Sequence, residues 1–134
     1  MSIYKRDTLT PEWEPIPWDA PDDVADEQER GFYARATAAI VWSKVPFADF
    51  PAEGIFGRPI DWFRALDIEY FATHAGEELV LLHNFWSGWP DPPEWGLASR
   101  PCGNPDGAWS RWGHFDNMPA SWSVPDIARA AATE

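Results

Sequence analysis

The sequence predicts a single α+β domain, one main helix packed on a small antiparallel sheet, with a long, ordered, Trp/Pro-rich irregular segment laid over it. Three observations predict it. From Asp22 onward, apolar residues recur at every fourth position. Two apolar runs, IEYFATH and LVLLHNF, flank a short Gly-containing stretch. Finally, six of the ten tryptophans and six of the fourteen prolines fall between Trp86 and Trp122.

The helix is expected over 23–43. Val24, Gln28, Phe32, Ala36 and Ile40 form one i+4 row, widened by Tyr33, Ala39 and Val41. Asp22 or Asp23 follows Pro21 and can cap, Lys44 lies at the far end, and the Val45-Pro46 step stops the helix. Gly31 inside it costs about 1 kcal/mol relative to alanine. Residues 47–59 read as loop, and Pro59 opens a short helix to Leu66. The hairpin pairs 68–74 with 79–85 across a loop at 75–78, which sets His83 opposite Tyr70. One continuous helix over 60–74 competes, but the aromatic and β-branched content of 68–73 favours strand.

Prolines bar a long helix or run of strand from 86–122, and Asn104-Pro-Asp-Gly107 is a turn by its own chemistry. One or two short strands are expected there, the first choice being 108–115. Ser123 and Asp126 match a capping box for a short terminal helix packing through Ile127. At the other end, Pro11, Pro15, Pro17 and Pro21 interleave with Trp13 and Trp18 as an extended arm, whose rings are expected on the chain's own core. The domain thus divides into the arm (1–21), the helix-and-hairpin scaffold (22–85) and the Trp-rich segment with its terminal helix (86–134).

At 134 residues the chain is long enough for one real core. The single Cys102 makes no intramolecular disulfide. No secretory h-region opens the chain and no apolar run is long enough for a membrane span, so a cytoplasmic setting is expected. Twenty-two acids against ten bases give a net charge of −12, half of it within residues 1–30. That sign disfavours direct contact with nucleic acid or anionic membrane and favours a basic protein partner.

No nucleophile elbow, P-loop or dinucleotide fingerprint is present. His74 and His83 share a face of the predicted hairpin but stand roughly 13 Å apart, too far for one ion. His114 and Asp116 form only an H-x-D pair, so no metal and no cofactor is expected. Cys102 beside Arg100, with His83 or His114 as base, would make a thiol catalyst, but a cysteine without a role is the favoured reading. Glu77 and Glu78 are expected at a solvated turn tip. Trp42 and Trp62 are expected to fill the core.

The remaining tryptophans carry the functional reading. Trp112, Phe115, Pro119, Ala120, Trp122 and Val124 spell W-x-x-F-x-x-x-P-A-x-W-x-V. That stretch resembles one in MbtH-like proteins, small activators of adenylation domains that grip a partner side chain between two tryptophans. The family's N-P-F start and closing N-W-x-D-x-R-P are missing, so the likeness is one of loop chemistry rather than membership. It implies a protein-gripping notch at Trp112 and Trp122. The expected function is therefore non-catalytic protein binding, most concretely by an acidic immunity or antitoxin-type inhibitor of a basic partner such as a nuclease toxin, or by an accessory subunit of an assembly. Asp22, Asp23, Asp26, Glu27 and Glu29 supply the acidic face, and Trp86, Trp89, Trp109, Trp112 and Trp122 the anchors. The alternative is a small-molecule enzyme or a carbohydrate- or ligand-binding domain, its pocket walled by Trp86, Trp89 and Trp95 with His83 or His114 as the polar group.

Overall fold

The computed structural model describes residues 13–16, 19–83, 94–104 and 106–126. In chain order these form β1 (Trp13–Glu14), α1 (Asp22–Ala36), β2 (Ser43–Lys44), α2 (Ile60–Ala65), β3 (Ile68–His74), β4 (Glu77–His83), β5 (Trp95–Pro101) and β6 (Ser110–Phe115). The strands make one antiparallel sheet in the order β1-β6-β5-β4-β3-β2. This is the α+β fold expected, with α1 as its main helix.

The sheet grows from the β3–β4 hairpin. Ala75 and Gly76 both take positive φ, 53° and 78°, the two-residue turn whose twist suits a hairpin. His74 therefore faces Glu77 and Tyr70 faces Leu81, so the expected loop at 75–78 is two residues too long and His83 is not opposite Tyr70. Glu77 and Glu78 are strand residues, not a turn tip.

Both faces of the sheet are covered, which explains the unbroken LVLL run in β4. On one face Leu79, Leu81, Tyr70, Trp95, Leu97 and Phe115 pack with Phe32 of α1. On the other, Val80, Ala98 and Ile68 pack with Val45, Ile55 and Phe63 from the 45–66 segment. Trp42 lies in the first core and Trp62 against the second, as expected.

Helix α1 stops at Ala36, seven residues short of the expected end. Its last turn is taken over by the 119–124 loop. Ser121 Oγ donates to the Ala36 carbonyl at 2.6 Å and Trp122 Nε1 to the Arg35 carbonyl at 2.8 Å. The chain beyond turns to pair with that loop through Trp42 N to Ser123 O and Ser123 N to Ile40 O. These long-range bonds override the local helix pattern. They also displace the expected capping box: Ser123 bridges Val41, and Asp126 sits at φ 62°, outside helical geometry. Residues 127–134, with Ile127, lie outside the described residues.

The Trp-rich segment is less irregular than its prolines suggest. β5 crosses it as a seven-residue strand between β4 and β6. Pro101 closes that strand as its last residue. The strand expected near 108–115 is β6. From the N-terminal arm, Trp13 pairs with Phe115 and is buried, its Nε1 donating to the Trp112 carbonyl at 2.9 Å. Gly113 makes room for it. At φ 89° this residue occupies the left-handed region, and a Cβ there would lie 2.4 Å from the Trp13 ring. Trp18 lies outside the described residues. No helix among the described residues is long and apolar enough to cross a membrane.

Candidate functional site

Three exposed acids lie on the first turns of α1. Pro21 is the cap residue, and Asp22 and Asp23 open the helix, where the positive end of its dipole favours them. Asp22, Asp23 and Glu27 face solvent and Asp26 is half-buried. Glu29 departs from expectation. It falls in the inward row Ala25, Glu29, Phe32 and is only 1% exposed, whereas Val24, expected inside, is 39% exposed. The expected row ran through Val24 and Gln28 instead, and a glutamate in the inward row reads as polar surface.

Two carboxylates expected in solvent are instead structural. On the α1 face, Glu77 receives Arg35 through both oxygens (3.1 and 2.6 Å) and Ser99 Oγ at 3.0 Å. The same guanidinium lies 4.2 Å over the Trp112 ring, whose Nε1 donates to Ser99 Oγ at 2.8 Å. On the opposite face, buried Arg100 donates to Glu78 at 2.7 Å and to the Phe56 carbonyl at 3.0 Å, and stacks over Trp109 at 4.6 Å.

The tryptophan anchors separate accordingly. Trp109 packs with Trp62 and Phe56 under one face, while Trp112 and Trp122 lie on the other, so the three share no surface. Trp122 is 2% exposed, edge-on to Phe32 and Phe115 and tilted against Trp42. It cannot grip a partner side chain. The Trp112–Trp122 notch expected from the MbtH-like likeness is filled by the chain's own Arg35: one ring takes its guanidinium, the other its carbonyl. Beside it an open, mainly apolar cleft of about 360 Å³ is lined by Phe32, Tyr33, Ala36, Met118 and Pro119, among others. Trp86 and Trp89 lie outside the described residues.

Cys102 is exposed beside the end of β5. Its suggested activator, Arg100, is committed to Glu78. His83 is at the far end of the same ladder, opposite Trp95 while Glu77 faces Pro101, so no thiol–histidine pair forms between them. His83 lies flat on Trp95, centroids 4.3 Å apart, with Nε2 2.7 Å from Glu94 and Nδ1 3.4 Å from Glu69. His114 sits over Gly96, where a Cβ would lie 3.1 Å from its ring. Among the described residues, no three His, Cys, Asp or Glu side chains are placed to share a metal ion.

Buried Glu29 and half-buried His114 oppose each other in pH. Burial, then the Asp26 charge, pushes the Glu29 carboxyl up from 4.5 to about 7. Burial, then Arg111, pushes His114 down from 6.5 to about 4. Folded Glu29 keeps a proton that the unfolded chain has released, so its contribution falls as pH rises from 4.5 to about 7. Folded His114 stays neutral where the unfolded chain is charged, so its contribution falls as pH drops from 6.5 to about 4. The slopes cancel across their shared window. Glu29→Gln should therefore make stability drop more steeply on acidification than in the parent, by up to about 1.4 kcal/mol per pH unit. Parallel urea-unfolding profiles for the two proteins would refute this balance.

No protein-family model, curated protein or solved structure matches the chain.

Proposed function

We propose that the chain is a non-catalytic protein-binding protein of the cytoplasm, an immunity or antitoxin-type inhibitor of a basic partner such as a nuclease toxin, or an accessory subunit of an assembly. The observation that carries this reading is the exposed acidic start of α1, Asp22, Asp23 and Glu27, on a chain of net charge −12. Each described tryptophan is buried or half-buried in the chain's own packing, so electrostatic steering takes the larger share. Trp86 and Trp89 enter as aromatic anchors on the sequence alone.

The test is an immobilised chain challenged with lysate of the source cell, followed by kinetics on the captured protein. One dominant basic protein is expected. Its association rate should fall about tenfold at low salt in the triple variant Asp22→Asn, Asp23→Asn, Glu27→Gln, with dissociation little changed. Capture that is indifferent to those three substitutions and to salt would sink the proposal. For the ligand-binding alternative, the supporting observation is the His83–Trp95 stack with its two carboxylates; a change in tryptophan fluorescence with sugars or metabolites would favour it.

A further inference from the structure

We infer that Asp26 and Glu29 together form a receptor for one guanidinium group, the arginine side chain of a basic partner. The inference rests on the proposed reading of α1 as the partner-facing helix.

The two residues lie three apart on α1, neighbours on the helix surface. Asp26 Oδ1 and Glu29 Oε1 are both buried and neither has a hydrogen-bond partner. That contrasts with the other carboxyls the fold encloses, since Glu77 and Glu78 each hold an arginine. A buried carboxylate without a donor is costly, so an unmatched pair marks a place where a donor is missing.

Among the described residues none supplies that donor. From β1 and β6, packed under α1, come Glu14, Arg111 and His114, and from α1 itself Asp22, Asp23 and Arg30. None forms an ion pair or hydrogen bond with Glu29 among the described residues. Gln28, between the two acids, is occupied with both the N–H and the carbonyl of Ile16. Two carboxyls three residues apart on one helix suit a planar fork of donors. Arginine also stays charged and is more weakly hydrated than lysine, so burying it costs less.

In the free protein the place of the cation is taken by a proton, which burial and Asp26 hold on Glu29 up to about pH 7. Seating a guanidinium expels that proton. Affinity should therefore fall about tenfold for each pH unit below 7 and level off above it.

The experiment follows the Glu29 carboxyl carbon of the full chain by NMR through a pH titration, with N-acetyl-arginine amide or its neutral isostere N-acetyl-citrulline amide. With the arginine compound the Glu29 midpoint should drop by a unit or more, a tenfold loss of proton affinity. With citrulline it should stay in place, and in a folded Asp26→Asn variant the arginine effect should vanish. Equal midpoints with both compounds, or an arginine effect that survives Asp26→Asn, would overturn the inference. The two proposals fail separately. A basic protein held through Asp22, Asp23 and Glu27, with Glu29 unmoved by arginine, refutes only this pair. Arginine seated at the pair with no basic protein captured refutes only the functional reading.

Discussion

Gly31→Ala is expected to destabilise the protein by about 2–3 kcal/mol, the reverse of what a mid-helix glycine normally promises. Helix propensity alone predicts a gain near 1 kcal/mol. Against it, an added Cβ would lie 2.1 and 2.2 Å from two carbons of the Trp112 ring. The ring is held from two sides. Its Nε1 is tied to Ser99, and Arg35 stacks on it. A thermal or urea midpoint measures the loss, and a second background isolates the cause. In Trp112→Ala the same Gly31→Ala change should become stabilising, because only the propensity gain is left. Destabilisation of equal size in both backgrounds would show that the ring is not responsible.

Glu78→Ala should cost about 3–5 kcal/mol, since it deprives a buried arginine of its carboxylate. Arg100 is 1% exposed and fixed between Glu78, the Phe56 carbonyl and the Trp109 ring. Substituting both partners by apolar residues, Glu78→Leu with Arg100→Met, should recover more than half of that loss. Recovery stays incomplete because the Phe56 carbonyl loses its donor. If the double variant is no more stable than Glu78→Ala, the cost arises from lost packing rather than from an abandoned charge.

What could be read in advance was local. The apolar runs of β3 and β4, Pro59 ahead of α2, and the i+4 recurrence at the start of α1 are patterns within a few residues, and each marked its element. What escaped depends on partners distant in sequence. The end of α1 is decided by Ser121 and Trp122, and the burial of Glu77 and Glu78 by Arg35 and Arg100. Composition likewise showed that tryptophan mattered without showing where the rings point. Gly31, which looked like a helix defect, and Gly113 are the spaces that seat Trp112 and Trp13.

The bond between Trp13 and Trp112, which spans 99 positions, also bears on biosynthesis. As the polypeptide leaves the ribosome β1 is made long before β6, its neighbour in the sheet. Until then the Trp13 indole lacks the Trp112 carbonyl it will bond, and only after β6 emerges can the sheet close along that margin.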